Sequence, residues 1–479
     1  MVFPVVGGNE SKGYDVENSL RFNDGDSPRL TRTPSSAGNR RTFTLSVWFK
    51  LTVSPSGDSN YERQILAADD GTGGNNNFDY IAINNLNKIF LYNYEGGEAY
   101  VFTSTQLLRD PSAWYHLVVA FDTTQGTNTN RVKIYLNGNQ ITDFDTANYP
   151  SQNHQTRFNN SNAHRIGSYP DQDTQYFDGY MCEYHLVDGS QLAPTSFGEF
   201  NDNGVWVPIK YTGSHGTNGF YLEFKQTGTS ANSSGIGADT SGNDNHWAVT
   251  NLAALDVTED TCTNNFATML PILYTSDVVT FSEGNVKLVG NSSADGGGSW
   301  ASIVPTSGKW YAEVKLPDAA TTQVGFATVD TWSDARNMLG NGTFLYAQDN
   351  NTSIKLRQGG STSNAGVSGG NNSYSTYSDD TIIGLALDMD NGKAYFSING
   401  TYMNSSNPAN GTNSFSLHTD YTSGVTFACG LDAATAEWNF GNPSFSISSG
   451  NNDGKYGNFE YAPPSGYYAL CTKRLAEFG

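Results

Sequence analysis

The segment Thr42-Phe-Thr-Leu-Ser-Val-Trp-Phe-Lys50 alternates apolar and polar side chains along most of its length. Every second residue from Phe43 through Leu45 and Val47 to Phe49 is apolar. These four side chains fall on one face of an extended chain, because successive side chains of a β-strand point to opposite sides of the sheet. A period of two indicates a strand with one face in a core. This segment therefore predicts a sheet rather than a helical bundle.

The same pattern recurs on both sides of this segment, with tight turns between the strands. Asn-Gly pairs at 137–138, 391–392 and 399–400 favour hairpins, since Asn and Gly tolerate the positive φ angles that short hairpin turns require. Aromatic residues make up 13% of the chain and glycine supplies 51 residues, a composition typical of many short strands joined by turns. The sequence predicts an all-β protein. Leu470 to Phe478 is the best helical candidate, as a tail that docks on a partner or as a frayed terminus.

Charge and apolar content restrict the classes of partner. The formal net charge is −21, which excludes nucleic acid because phosphate binding needs a basic stripe. No stretch approaches the roughly 18 apolar residues of a membrane-spanning helix. The four cysteines, Cys182, Cys262, Cys429 and Cys471, lack C-x-x-C spacing, so buried free thiols are expected.

Residues in the first part resemble laminin-G-like domains of the concanavalin type. The resemblance rests on Phe43 to Lys50, Trp114 to Phe121, the Leu136-Asn-Gly hairpin, Arg165-Ile-Gly and Phe177-Asp-Gly-Tyr-Met-Cys-Glu183. It implies a two-sheet jelly roll that often binds glycans, in some members through calcium at a loop edge.

Residues in the last part resemble a SPRY domain. The motifs are Gly308-Lys-Trp-Tyr-Ala-Glu313, Gln323-Val-Gly-Phe-Ala-Thr328, the hairpin of Asp390-Asn-Gly with Phe396-Ser-Ile-Asn-Gly400, and Asn439-Phe-Gly441. This resemblance implies a bent β-sandwich whose loops bind partners, usually proteins, without catalysis.

These resemblances predict two tandem β-sandwich domains joined by an ordered β-rich segment. The predicted boundaries are residues 1–194 for the laminin-G-like sandwich, 195–271 for the connecting segment, 272–465 for the SPRY-like sandwich and 466–479 for a C-terminal tail.

Candidate binding residues come from loops. Trp332, with Asp334 and Arg336 nearby, follows a predicted strand and is a candidate for contact with a partner or a sugar ring; the alternative is an aromatic side chain folded back on the sheet edge. Asp69 and Asp70 precede Gly-Thr-Gly-Gly and could wrap a calcium ion, the one cofactor considered. Similar pairs of aspartates occur at 24/26 and 171/173. Each pair could equally belong to a polar turn that binds no ion.

Catalysis finds little support in the sequence. Glycoside cleavage needs two carboxyl groups, and the Glu-x-Asp-x-Glu pattern of concanavalin-like glycosidases is absent. Glu183 stands alone on its predicted strand, where a carboxylate is expected to face solvent. His116 and His185 are expected to be hydrogen-bonded structural residues.

Ser19 to Gly25, Arg32 to Arg40 and Thr263 to Thr268 resemble stretches of bacteriophage tail-fibre and other structural proteins. The resemblance implies a virion protein made in the host cytoplasm, and the N-terminus shows no secretory signal pattern. The expected partners are other virion proteins and a host surface glycan or protein. The hypotheses are a receptor-binding, fibre-like protein for host attachment, a capsid decoration or tail-assembly protein, and, third, a polysaccharide-degrading enzyme. Without sustained heptads, a homo-oligomer would form through sandwich faces or strand edges.

Overall fold

The structure is a computed structural model. It describes residues 13–52, 61–70, 77–170, 174–271, 279–291, 297–318, 321–328, 342–347, 355–358, 378–417, 421 and 424–479. The chain divides into two compact units, an N-terminal unit from Asn9 to Thr263 and a C-terminal unit from Asn264 to Gly479. Both are built almost entirely of strands, which confirms the all-β prediction.

The N-terminal unit holds eighteen strands within its described residues. They are β1 (Ser19–Phe22), β2 (Arg29–Arg32), β3 (Thr42–Leu51), β4 (Arg63–Asp69), β5 (Asn77–Ile83), β6 (Lys88–Glu95), β7 (Glu98–Leu107), β8 (Trp114–Asp122), β9 (Val132–Leu136), β10 (Asn139–Gln140), β11 (Phe144–Asn148), β12 (His164–Ile166), β13 (Gly179–Asp188), β14 (Gly198–Phe200), β15 (Trp206–Pro208), β16 (Phe220–Leu222), β17 (Ala248–Thr250) and β18 (Val257–Thr258).

These strands form two large sheets and one hairpin, β14–β15. Sheet A has the order β10-β9-β8-β3-β13-β1-β18, with β16 also pairing β13, and sheet B has the order β11-β7-β6-β5-β4-β12-β2-β17. One hydrophobic core takes side chains from both sheets, including Phe43 to Phe49 at alternate positions and Ile81, Ile83 and Leu91. The four alternate side chains of β3 do face the core and are fully buried. The prediction that only one face is buried is wrong, because the side chains of the other face, from Thr44 to Lys50, are buried as well.

The Asn-Gly hairpins are confirmed with one difference in their geometry. Asn137 and Asn399 have φ angles of 48° and 46°, and the glycine after each also has a positive φ. Each pair therefore forms the two central residues of a tight turn. Asn391 and Gly392 instead lie in a longer loop, since Asp388 pairs with Lys393 across it.

Most of the predicted connecting segment belongs to the N-terminal unit. Strand β16 pairs with β13, β17 with β2 and β18 with β1, so the segment extends both sheets. Trp206 packs in a cluster with Trp48 and Trp114, which point away from the core on the outer face of sheet A. The segment covers this apolar face because large aromatic side chains there would otherwise remain in water. The boundary between the two compact units thus falls at 263/264, inside the predicted connecting segment.

The C-terminal unit contains fourteen strands and one helix in its described residues. They are β19 (Val279–Ser282), β20 (Lys287–Gly290), β21 (Gly297–Trp300), β22 (Lys309–Leu316), β23 (Thr321–Thr328), β24 (Gly342–Ala347), β25 (Lys355–Gln358), β26 (Thr381–Asp388), β27 (Lys393–Ile398), β28 (Thr401–Tyr402), β29 (Phe415–Ser416), β30 (Val425–Asp432), β31 (Thr435–Asn439), β32 (Tyr468–Ala469) and α1 (Thr472–Phe478).

Two sheets enclose the core of this unit as well. Sheet C has the order β19-β20-β31-β22-β26-β27-β28, with β29 on β27 and β32 on β22, and sheet D has the order β21-β30-β23-β24-β25. Trp310, Phe396, Phe427 and Trp438 are among the side chains that fill the space between them. The arrangement is a second sandwich.

The C-terminal residues pack onto their own unit. Strand β32 runs parallel to β22, and the ring of Phe478 stacks on that of Tyr468 with centroids 3.8 Å apart. Arg474 donates from Nε and Nη2 to the two carboxylate oxygens of Asp453 at 2.9 and 2.7 Å. This segment is therefore neither a frayed terminus nor a tail that is left available for docking on a partner.

In the described part of the chain, no helix is both long enough and apolar enough to cross a membrane.

Candidate functional site

The outer face of sheet B carries a cluster of aromatic side chains, which we call the aromatic face. It consists of Phe78 and Tyr80 from β5, Phe90, Tyr92 and Tyr94 from β6, and Tyr169 from the loop after β12. In both strands the intervening residues point into the core, as Ile81 and Leu91 do. The aromatic side chains therefore occupy the side of the strand where a half-buried sheet normally presents polar residues to solvent.

The rings of this face contact one another across neighbouring strands. Tyr80 lies opposite Tyr92 in the strand register, with centroids 5.6 Å apart, and Phe78 lies opposite Tyr94 at 5.9 Å. Tyr169 packs from above, 5.6 Å from the rings of both Phe78 and Tyr80. Such spacing is that of stacked or tilted aromatic pairs, which hold one another in place.

Exposure differs within the face. Phe78 and Tyr80 are buried, at 6% and 4% exposure, whereas Phe90, Tyr92 and Tyr94 on β6 are half-buried. The side chains on β6 stand at alternate positions of one strand, so they form a row with a repeat of about 7 Å. The row of β6 is the accessible part of the aromatic face.

A carboxyl group borders the buried part of the face. Burial raises the pKa of the Glu62 carboxyl to about 7, although hydrogen bonds from Tyr80 and Gln64 favour its ionised form. Gln64 Nε2 lies 3.5 Å from Glu62 Oε2. Glu98, opposite Tyr94 in the register, is exposed. The surroundings of the aromatic rings are therefore acidic rather than basic.

This combination suits one kind of ligand chemistry. A tyrosine ring offers a flat apolar surface together with a hydroxyl that donates and accepts hydrogen bonds. A sugar ring likewise has apolar C–H faces and hydroxyl edges, so it can stack on such a row while its hydroxyls bond to phenol and carboxylate oxygens.

Glu183 contradicts the expectation that it faces solvent. It is 5% exposed, and Tyr14 Oη donates to its Oε2 at 2.7 Å while Tyr221 Oη donates to its Oε1. The register between β3 and β13 shifts between Cys182 and His185, and Glu183 has a φ of +48°. This bulge adds a residue to the outer side of β13. Tyr14 and Tyr221 of β16 lie over Glu183 on that side. Sequence alternation alone could not show the bulge.

The Glu183 carboxylate lies in a small pocket of about 130 Å³. The pocket is lined by Tyr14, Asp15, Val16, Glu17, Asn18, Glu183, Tyr221, Glu223 and Lys225. The imidazole of His185 is close as well, with Nε2 3.6 Å from Glu183 Oε2. Because both carboxylate oxygens already accept hydrogen bonds from phenols, this group is held as a structural acceptor.

Two histidines have structural roles, as predicted. His116 Nε2 bonds to Ser46 Oγ at 2.8 Å, and its Nδ1 accepts from the indole of Trp206 at 2.9 Å. Burial lowers the pKa of His116 to about 3, so it stays neutral. His185 Nδ1 bonds to His215 Nε2 at 3.1 Å. The prediction that both histidines are hydrogen-bonded is confirmed.

The aspartates proposed for calcium have other partners. Asp69 is buried and its Oδ2 accepts from Arg165 Nη1 at 2.5 Å, while Asp70 Oδ2 accepts from Asn77 Nδ2 at 2.5 Å. A guanidinium beside Asp69 already neutralises this carboxylate, which opposes cation binding there. Within the described residues, no group of three or more His, Cys, Asp or Glu side chains could hold a metal ion. Calcium binding at Asp69 and Asp70 stays a prediction, and the ion pair of Asp69 with Arg165 makes Asp69 a poor calcium ligand.

The remaining candidate residues lie outside the described part of the chain. Trp332, Asp334 and Arg336, predicted as ligand-binding, fall there, and so does the pair at 171/173. Of the other pair, Asp24 Oδ2 accepts from Tyr61 Oη at 3.1 Å and Asp26 Oδ2 accepts from Asn23 Nδ2 at 2.8 Å.

Comparison with known families agrees with this geometry. Residues 24–195 match a laminin G family model described as the concanavalin A-like lectin/glucanases superfamily. The fold of this segment is concanavalin-like. The matched residues include β5 and β6, which carry the aromatic face, and they end where the covering segment begins. No curated protein matches the chain.

Several solved structures are distantly similar to parts of the chain. The TRIM65 PSpry domain has 13% identity and a TM-score of 0.27, over 36% of this chain and 92% of that one. The SPRY domain of human HERC1 has 13% identity and a TM-score of 0.25, over 36% and 96%. A pentraxin from Limulus polyphemus has 14% identity and a TM-score of 0.28, over 38% and 80%. Likenesses this distant carry no functional argument.

Proposed function

We propose that the N-terminal unit binds carbohydrate through the aromatic face and does not cleave it. The observation that carries this proposal is the row of Phe90, Tyr92 and Tyr94, three half-buried rings on the solvent side of a concanavalin-like sheet. Half-buried aromatic side chains in one patch are a common mark of a binding surface. The lectin and glucanase description of the matching family supports sugar as the ligand.

The opposite face of the sandwich is a weaker candidate. The outer face of sheet A is covered by residues 195–263, with Trp206 buried against Trp48 and Trp114. A ligand would have to displace this segment and the ion pair between Lys50 and Asp260, both of which are buried. The aromatic face needs no such rearrangement at β6.

Charge narrows the ligand to neutral glycans. The chain carries a net charge of −21, and the exposed carboxylate of Glu98 borders the aromatic rings. Three cations of this sheet region, Lys88, Arg157 and Arg165, are paired with Asp145, Glu95 and Asp69. Anionic polysaccharides would therefore be repelled on approach.

Binding without turnover is part of the same proposal. Cleavage of a glycosidic bond needs an acid and a second carboxylate at a defined separation. Glu183 on β13 of sheet A accepts hydrogen bonds from two phenols and lies on the face opposite the aromatic row.

We also propose that the protein serves on a bacteriophage particle, where glycan binding would attach it to a host surface. This setting rests on the sequence resemblance to tail-fibre and other phage structural proteins. In the alternative, a capsid decoration or tail-assembly protein, the same sandwiches would dock on virion subunits.

A glycan array probed with the full chain tests the proposed function. We expect specific binding to neutral glycans by the wild-type chain and loss of that binding in Tyr92→Ala. Tyr135→Ala, a change at a half-buried tyrosine on β9 of sheet A, is the matched control and should bind as the wild type does. An array without specific signals, together with tight incorporation into particles, would favour the structural alternative. Reducing ends released from a bound polysaccharide would contradict binding without cleavage.

A further inference from the structure

Two cysteines of the N-terminal unit lie side by side in its interior. Cys182 is in β13 and Cys262 is near the end of the unit, 80 positions later, yet their Sγ atoms are 3.7 Å apart. Neither forms a disulfide in this structure, and their exposures are 0% and 1%. Their cluster also contains Val16, Trp48, Trp114, Tyr180 and Trp206.

The surrounding contacts hold the two sulfur atoms near each other. On one side of Cys262, Thr261 Oγ1 donates to the carbonyl of Val16 at 2.9 Å, and on the other the backbone N–H of Val16 donates to Thr263 Oγ1 at 3.0 Å. Asp260 forms the buried ion pair with Lys50 of β3. Cys182 is fixed by strand pairing of β13 with β3. The proximity is thus set by the fold on both sides.

We propose that Cys182 and Cys262 are a cross-linking site that forms a disulfide when the chain folds in the presence of a small-molecule disulfide. The thiolate of one cysteine attacks a sulfur of the small disulfide and releases one small thiol. The second cysteine then displaces the other half, which leaves as a second thiol. Two protein thiols are oxidised, one small disulfide is reduced, and both protons end on the released thiols.

The geometry requires only a small movement. A disulfide has an S–S distance of about 2.05 Å and specific dihedral angles, so side-chain rotation would have to close the present 3.7 Å gap. Burial raises the pKa of Cys262 well above its ordinary value. Thiolate is therefore scarce in the folded chain, and the reaction belongs to folding or local opening rather than to the native state.

The cross-link would tie the covering segment to the sheet beneath it. Trp206 and Cys262 of residues 195–263 pack on the outer face of sheet A, where Cys262 lies against Cys182 of β13. A bond there closes a loop of 80 positions, and long loops lose much conformational freedom on cross-linking in the unfolded state. A protein displayed outside a cell would gain stability from it.

The test refolds the full chain under redox control. The chain is unfolded with reductant, refolded in a glutathione redox buffer, denatured, alkylated with N-ethylmaleimide and weighed by mass spectrometry. We expect two alkylated thiols of the four cysteines, and a non-reduced digest should join the peptides of Cys182 and Cys262. Four alkylated thiols, or a bond in another pair, would overturn the proposal.

Two matched cysteine variants distinguish the proposed disulfide from thiols lost by other oxidation. Cys262→Ser should keep all three remaining thiols reactive after the same treatment, whereas Cys429→Ser, in the other unit, should keep only one. The oxidised wild-type chain should also melt several degrees above its reduced form, and Cys262→Ser should show no such shift. An equal shift in that variant would contradict the proposal.

Discussion

Tyr80 and Tyr92 lie opposite each other on neighbouring strands, with ring centroids 5.6 Å apart, yet only Tyr80 is fully buried. The pair joins the covered half of the aromatic face to its accessible row on β6. Tyr80 fixes the position of Tyr92 and also contacts the Glu62 carboxyl. The rigid half of the face is therefore placed beside the half that can meet a ligand, which is the arrangement that a preorganised binding surface needs.

Glu62 should make stability depend on pH. Its pKa in the folded chain, about 7, is above the ordinary 4.5. Between these two pH values the folded chain holds a proton on Glu62 that the unfolded chain releases. The stabilisation is full below pH 4.5 and is lost as the pH rises through 7. Glu62→Gln imitates the protonated form, so it should exceed the wild type by about 1 kcal/mol at pH 8 and match it at pH 4, allowing for partial exposure.

Urea unfolding at both pH values measures this difference. Glu98→Gln changes an exposed carboxylate on β7 and should behave as the wild type at both. An identical response of Glu62→Gln and the wild type to pH would refute the role of burial at Glu62.

Glu313 should be essential to the C-terminal unit. Its carboxylate accepts from Tyr311 Oη and Asn439 Nδ2, each at 3.1 Å, and from the backbone N–H groups of Glu460 and Tyr461 at 2.9 and 2.7 Å. Glu313→Gln places an NH₂ group against these donors. We expect a loss of about 2–4 kcal/mol of unfolding free energy, measured with guanidinium. A loss below about 0.5 kcal/mol, the usual range for surface changes, would contradict this account.

The C-terminal helix should stabilise its unit through Arg474. Its guanidinium binds both oxygens of Asp453 and lies 4.8 Å from the ring centroid of Tyr468. Arg474→Lys keeps the charge but loses the bidentate geometry. We expect Arg474→Ala to lower the melting temperature by several degrees and Arg474→Lys to recover little of that loss. Full recovery by lysine would show that charge alone matters.

The boundary at 263/264 has a direct consequence for fragments of the chain. A fragment ending at residue 263 should unfold cooperatively, whereas one ending at 194 would expose Trp48 and Trp114 of sheet A and should aggregate or lose its cooperative transition. Calorimetry and sedimentation distinguish the two. A stable, monomeric fragment ending at 194 would show that residues 195–263 are dispensable.

Strand periodicity made the architecture predictable. Alternation in Phe43 to Phe49 specified a buried face, and the Asn137–Gly138 pair specified a hairpin, because both depend on local backbone geometry. Pairing of β16, β17 and β18 with distant strands was not predictable, since short strands carry little periodicity of their own. The compact unit therefore extends beyond the end of the family match at residue 195 and includes most of the predicted connecting segment.

The candidate site was partly visible in the same pattern. Phe90 and Tyr92 occupy the positions of β6 that alternation assigns to solvent, which is a signal for a binding face. The sequence prediction instead emphasised loop residues such as Trp332. The burial of Glu183 had no sequence signal, because a bulge moved it to the outer side of β13. Contacts with Tyr14 and Tyr221 then closed over it.

The most direct test of carbohydrate binding is the affinity for the best neutral glycan from the array, measured by titration calorimetry with the full chain, Tyr92→Ala and Tyr135→Ala. Loss of one stacked ring should weaken binding about tenfold, equivalent to about 1.4 kcal/mol. We expect that loss for Tyr92→Ala and an unchanged affinity for Tyr135→Ala. Equal affinities for Tyr92→Ala and the wild type would contradict it.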